Sequence, residues 1–243
     1  MFDYFRFSLP RAVTEQLVER LEQLTPSPLT KDALAKLTVF QAENNTAQGV
    51  YVIYQGGAAA YAGKADGLVE RLAEHLWKLC GRQGIDLAAV GFKALLLDDN
   101  WSTSANEGLL INHFKAKNEC RWNGSGFGPK DPGKNRDGGE SNWFDNTFPV
   151  RDDYPVQNIV DAMTAGAVLA QIKEQVPYLF RYDVPPQAAE TAIHLRGVPR
   201  TARDLVLAVT KALGAGWQLM LFKNGFTLYR ASKTYANGTQ LLP

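Results

Sequence analysis

Apolar and polar positions change their rhythm several times along the chain, and each change predicts an element. Arg11 to Leu24 carries Val13, Leu17, Leu21 and Leu24 at helical spacing, an amphipathic helix that Pro26-Ser27-Pro28 ends. Phe2 to Leu9 ahead of it reads as a strand, and Leu34 to Phe40 leads onward. Val50 to Tyr54 is a short β-branched and aromatic run closed by Gln55-Gly56-Gly57, and Ala58 to Gly63 is a second short apolar run. Together they predict a hairpin across a glycine turn. From Asp66 to Leu79 the period becomes helical, with Leu68, Val69, Leu72, Leu76 and Leu79 as the apolar stripe and Asp66 as N-cap. Phe92 to Leu97 predicts a third strand beside the hairpin. Ser102-Thr103-Ser104 then caps a helix whose core side is Leu109, Leu110 and Phe114.

After Arg151 the pattern changes. Val156 to Gln175 reads as one long alanine-rich helix, apolar around much of its circumference, which suits a buried core helix or a subunit interface equally. Strands follow at Tyr178 to Tyr182 and Ala192 to Leu195, then a helix from Arg200 to Leu213. A terminal hairpin pairs Trp217–Phe222 with Phe226–Tyr229 across Lys223-Asn224-Gly225. The expected fold is α+β: a small mixed three-stranded sheet flanked by helices, with N-terminal and C-terminal α/β extensions. The expected division is 1–45 as N-terminal extension, 46–150 as core and 151–243 as C-terminal region.

Composition narrows the setting. With 243 residues and 45% apolar content the chain can bury a full core. The two cysteines, Cys80 and Cys120, have neither disulfide-framework nor zinc-ligand spacing. No leader-like or membrane-length apolar stretch is present, so a cytoplasmic protein with no membrane partner is expected. A net charge of +1 excludes a protein that coats nucleic acid indiscriminately, so any basic surface must be local. It is concentrated at Lys115, Lys117, Arg121, Lys130, Lys134 and Arg136, opposed only by Glu119, Asp131 and Asp137. Trp122, Phe127 and several glycines are interleaved with it, as in a loop that approaches a phosphate backbone.

The candidate chemistry lies in the hairpin and the helix after it. Tyr51 and Tyr61 sit on neighbouring strands, Lys64 follows Tyr61, and Arg71 and His75 project from one helix face at i and i+4. Taken singly, each has an ordinary structural role: strand aromatics, a turn lysine, helix-surface charges. Together they can surround one phosphodiester. His113 and His194 have no partner spacing and read as structural.

Gly49-Val50-Tyr51, Tyr61-Ala62-Gly63-Lys64, Arg71 and His75 resemble the GIY-YIG nuclease superfamily, and the stretch from Glu107 to Phe114 resembles the helix carrying that superfamily's metal-binding glutamate. Trp122-Asn123-Gly124-Ser125-Gly126-Phe127-Gly128, with Asp131-Pro132-Gly133, is similar to the type II restriction endonucleases of this superfamily that cut within CCGCGG. The segment before Trp122 is longer than that branch usually has. That leaves two candidates for the family's asparagine, Asn123, which the resemblance favours, and Asn118 as the alternative.

The resemblance implies a metal-dependent endodeoxyribonuclease acting on double-stranded DNA at a GC-rich palindrome. Its catalytic set would be Tyr51, Tyr61, Lys64, Arg71, His75, Glu107 and Asn123, with Mg2+ (or Mn2+) on Glu107. Tyr51 would take the proton of the attacking water, with Lys64 and Arg71 favouring phenolate and His75 receiving the proton. Arg71 would also stabilise the pentavalent phosphate, Tyr61 would orient water or phosphate, and Asn123 would buttress the site. A palindromic target further implies a homodimer and a cognate DNA methyltransferase as functional partner. Two alternatives stay open: a structure-specific or toxin-like nuclease of the same superfamily, and a DNA-binding module without catalysis.

Overall fold

The computed structural model describes residues 4, 8–97, 111–114, 119–128 and 137–242, with only the backbone of Leu9 and Pro10. Contacts divide the chain into two compact units: Met1–Trp77 with Asp86–Gly128, and Lys78–Ile85 with Pro129–Pro243. The N-terminal helices thus belong with the hairpin and do not form a separate extension. The later boundary falls after Gly128, not at 150/151.

The first unit opens with α1 (Leu9–Gln23), a two-residue strand β1 (Ser27–Pro28) and α2 (Lys31–Glu43). Leu9, expected at the end of a strand, is the first residue of α1, and Phe2 falls outside the described residues. Val18 and Leu21 are the buried residues of α1's apolar stripe, while Leu24 is exposed. The predicted hairpin forms as β2 (Gly49–Gln55) and β3 (Ala58–Ala65). Gly56 and Gly57 make the turn with φ of 57° and 84°, the left-handed pair that two-residue hairpins favour because its twist matches the strands.

Next come α3 (Leu68–Cys80), a 3-10 turn at Leu87–Ala89 and β4 (Val90–Leu96). The sheet order is β1-β4-β2-β3 with every pair antiparallel. The mixed three-stranded sheet expected from the sequence is therefore antiparallel throughout, with β1 added at one edge. Consecutive strands joined by a tight turn must run antiparallel, and β4 returns beside β2 antiparallel to it as well.

Cross-strand partners share a sheet face, so register assigns the faces. Val50, Val52 and Ala62 pack with Val18 and Leu21 of α1 and with Phe114, Leu97 and Cys120. Tyr51, Ile53, Tyr61 and Gly63 occupy the opposite face, where α3 brings Leu68 to Gly49 and His75 to both tyrosines. The buried positions Leu68, Leu72, His75 and Leu79 follow the helical period along α3, so the histidine lies in the helix's packing stripe.

The second unit contains α4 (Trp143–Thr147), β5 (Ala162–Thr164), α5 (Ala165–Gln175), β6 (Leu179–Tyr182), α6 (Pro186–Ala189), β7 (Ala192–His194), α7 (Ala202–Leu213), β8 (Trp217–Phe222), β9 (Gly225–Arg230) and β10 (Thr239–Leu241). Its main sheet has the order β10-β8-β9-β6, with β6 parallel to β9, and β5 pairs with β7. The long helix expected over Val156 to Gln175 starts only at Ala165. Thr164 caps it by accepting a hydrogen bond from Ala167 N–H, and the residues before it form β5. Val168, Leu169 and Ile172 of α5 are fully buried with Leu205, Val206 and Leu228, so this apolar helix is a core helix of its own unit. Among the described residues, no helix is long and apolar enough to cross a membrane. The fold is α+β, as expected.

Candidate functional site

Tyr51, on the central strand β2, is opposite Gly63, and Tyr61 on β3 is opposite Ile53, so the two tyrosines are diagonal neighbours on one face. Their ring centroids are 6.0 Å apart. The Tyr51 hydroxyl is 2.8 Å from His75 Nε2, and the imidazole centroid is 5.1 Å from Tyr61. With the ring proton on Nδ1, Nε2 accepts and the phenol donates. Tyr51 is 1% exposed and His75 2%, which removes the pair from bulk water. Gly63 is needed beneath them: a Cβ there would stand 2.7 Å from the Tyr51 hydroxyl and 2.8 Å from its ring.

Arg71, one turn before His75 on α3, bonds Glu74 at 2.7 Å and keeps 30% of its side chain exposed. Burial is the largest influence on the Tyr51 phenol and pushes its pKa well above the ordinary tyrosine value. Tyr61 adds to that, while Arg71, by charge and hydrogen bonding, partly offsets it. Arg71 thus acts in the expected direction, towards phenolate, but desolvation outweighs it and the phenol holds its proton in this state. For Arg71, burial works against the cation, but Glu74 and the tyrosine oxygens outweigh it and the group stays charged.

Lys64 is opposite Val50, which assigns its Cβ to the face away from Tyr51, Tyr61 and His75. The structure therefore joins Tyr51, Tyr61, His75 and Arg71 and leaves Lys64 rooted on the other side of the sheet. Counting would have found this, since Tyr61 and Lys64 are an odd number of residues apart and strand faces alternate.

Asn123 lies at the edge of the strand that carries Tyr61. β3 is the last strand of its sheet, and the segment after Glu119 runs along its outer side. Cys120 N–H donates to the Ala59 carbonyl at 2.8 Å and Trp122 N–H to the Ala60 carbonyl at 2.9 Å. The Asn123 side chain accepts from Ala62 N–H at 2.9 Å and donates to the Ala62 carbonyl at 2.8 Å, as a paired strand residue would. Asn118 is outside the described residues.

Trp122 and Phe127, expected in a DNA-contacting loop, are 2% and 1% exposed. They are core residues of this site, with Phe127 on His75 and Tyr61. The sequence signal for them was a pair of large aromatics on either side of Asn123, at 122 and 127, and a polar, glycine-rich surrounding disguised it. Arg121 is exposed beside them. Glu107, Lys115, Lys117, Lys130, Lys134 and Arg136 lie outside the described residues.

Among the described residues, no group of three or more His, Cys, Asp or Glu side chains could hold a metal ion. The groups around Tyr51 are phenol, imidazole and guanidinium, and the adjacent carboxylate, Glu74, is engaged by Arg71. That donor set fits an anionic phosphate and does not by itself fit Mg2+, which would depend on Glu107. Compared with protein-family models and with curated proteins, the sequence matches none.

Proposed function

We propose that this protein is an endodeoxyribonuclease of the GIY-YIG type that hydrolyses DNA phosphodiester bonds, with the β4–β2–β3 sheet and α3 as its catalytic core. The observation that carries this reading is the buried Tyr51–His75 hydrogen bond, flanked by Tyr61 and by the Arg71 guanidinium. A plain core would fill this space with aliphatic side chains. A phenol bonded to an imidazole, beside a cation, is a proton path next to an anion site.

In this mechanism the scissile phosphate approaches past the half-exposed Arg71, which takes up the charge that develops on the non-bridging oxygens. The attacking water gives a proton to Tyr51 as Tyr51 passes its own to His75 Nε2. The phenol acts as a relay and need not exist as free phenolate, which its burial opposes. Tyr61 orients the water or the phosphate, and Asn123 holds β3 and with it Tyr61. A divalent ion, Mg2+ or Mn2+, would be held by Glu107 and would supply charge compensation at the phosphate. Lys64, from the far face, serves the DNA backbone more readily than the phenol.

Within this class we favour a type II restriction endonuclease, a homodimer with a GC-rich palindromic target and a partner methyltransferase, on the strength of the Trp122–Gly128 and Asp131-Pro132-Gly133 stretches. Supercoiled plasmid incubated with Mg2+ tests both levels. Discrete fragments support the restriction enzyme, and smears or nicked circles support a structure-specific or toxin-like nuclease. DNA bound but left whole with every divalent metal, including Mn2+, would replace the nuclease with a non-catalytic DNA-binding module, the reading that gains most from the closure of Tyr51.

A further inference from the structure

α2 is held at both ends and along one side. Thr30 accepts a hydrogen bond from Ala33 N–H at its start, and the Asn44 side chain donates to the Phe40 carbonyl at its end. Leu34 is buried, and Leu37 and Gln41 on the same side are half-buried. The opposite side presents Lys36, Val39, Phe40 and Glu43, all exposed, at i, i+3, i+4 and i+7. At 3.6 residues per turn these four make one stripe. Its two apolar members, Val39 and Phe40, are 59% and 52% exposed and adjacent, a patch that water covers poorly.

The stripe has an order that suits a copy of itself. The apolar pair is central, with Lys36 three residues before Val39 and Glu43 three residues after Phe40. Seven residues apart, the two charges are separated by about 10 Å along the helix and cannot pair with each other. A two-fold axis between Val39 and Phe40 would lay a second α2 antiparallel on the first. Val39 then meets Phe40 of the second copy, and Lys36 meets its Glu43. A parallel pairing would set lysine against lysine and glutamate against glutamate, so charge selects the antiparallel arrangement.

We propose that α2 is a dimer contact of this protein, pairing antiparallel with α2 of a second copy through Lys36, Val39, Phe40 and Glu43. Its part in cutting both strands of a palindrome rests on the nuclease reading above; the pairing itself does not. A 13-residue helix is about 20 Å long. Two of them bury less than a standard interface, so self-association is expected in the micromolar range.

Sedimentation equilibrium of the full-length protein across that range tests the contact. The two-fold axis makes each substitution count twice. Lys36→Glu and Glu43→Lys should each weaken the dimer about tenfold, by turning two attractions into two repulsions. The double variant Lys36→Glu/Glu43→Lys should restore it. An equimolar mixture of the two single variants should also dimerise, since each supplies the sign that the other lacks. These side chains are exposed, so the fold is not at stake.

A wild type that stays monomeric overturns the proposal. So does a dimer indifferent to either charge reversal, or one weakened by both and recovered in neither the double variant nor the mixture. Discrete DNA fragments from a protein without this charge-dependent dimer would remove α2 as the contact and leave the nuclease. The charge-dependent dimer in a protein that cuts no DNA with any divalent metal would leave the contact and remove the nuclease.

Discussion

The two units each contain an antiparallel hairpin buried along most of its length, and the two hairpins bury different things. In β8–β9 the buried Leu219, Phe226 and Leu228 join α5 and α7 in one apolar core, and Gln218, Thr227 and Tyr229 are buried beside them. In β2–β3 the same architecture buries Tyr51 and Tyr61 on one face, bonded to or packed against His75. Phenol and imidazole cost desolvation that leucine avoids, and their mutual hydrogen bond recovers only part of it. The second hairpin buries a phenol as well, Tyr229, but hands its hydroxyl to a carboxylate, Asp137, whereas the first pairs its phenol with an imidazole beside a guanidinium, and that pairing is what the proposed chemistry uses.

Tyr51→Phe should break the comparison most sharply. Cleavage is expected to fall roughly a thousandfold, while the fold loses only about 1 kcal/mol with the hydrogen bond. Near-wild-type turnover would end the role given to the phenol. Leu228→Ala should do the reverse, destabilising the second unit by about 3 kcal/mol in chemical denaturation. The specific activity of the folded fraction should be unchanged, and a matching loss of activity per folded molecule would mean that the second hairpin serves the chemistry too.

Gly63→Ala sharpens the picture from beneath the site. Its Cβ would intrude on the Tyr51 hydroxyl, and the resulting misplacement should cost about a hundredfold in kcat. Wild-type kcat would show that the hydroxyl need not stay where it is seen. Asn123→Asp retains the acceptor for Ala62 N–H but loses the donor to the Ala62 carbonyl. A melting experiment should register a loss of about 1–2 kcal/mol, and no shift would make the clamp dispensable.

The smallest effect is a pH dependence shared by both units. Burial raises the pKa of Tyr51 in the first and of Tyr178 and Tyr229 in the second. A phenol whose folded pKa exceeds its unfolded value of about 10 contributes stability that is fully present below that pH and lost as pH rises beyond it. Alkaline titration should therefore weaken the wild type above pH of about 10, with a shallower fall in Tyr51→Phe. Equal slopes would mean that Tyr51 does not feel its burial.

Much of this was legible in the sequence because local signals and tertiary demands agree there. The glycine turn, the two short strands, α3 and the third strand all follow from period and punctuation, as does the C-terminal hairpin. The convergence of Tyr51, Tyr61, Arg71 and His75 was legible as spacing. What escaped had non-local causes. The start of α5 is decided by Thr164 as a cap and by the pairing of β5 with β7, which no apolar count over Val156 to Gln175 reveals. The burial of Trp122 and Phe127 depends on the grip of Asn123 on a strand far away in sequence. The antiparallel sense of the whole sheet depends on the return path to β4. Only the face occupied by Lys64 was available from parity.

The Asn123–Ala62 pairing has a consequence for how copies of the protein behave together. β3 ends its sheet, and an open strand edge is a template on which another molecule's strand can add. Along Ala59 to Ala62 that template is already occupied from within the chain, by two backbone amides and one side-chain amide. The contact that steadies Tyr61 thereby also guards solubility. Loosening Asn123 should show up in light scattering at high concentration as sheet-to-sheet association, at temperatures well below its lowered melting point.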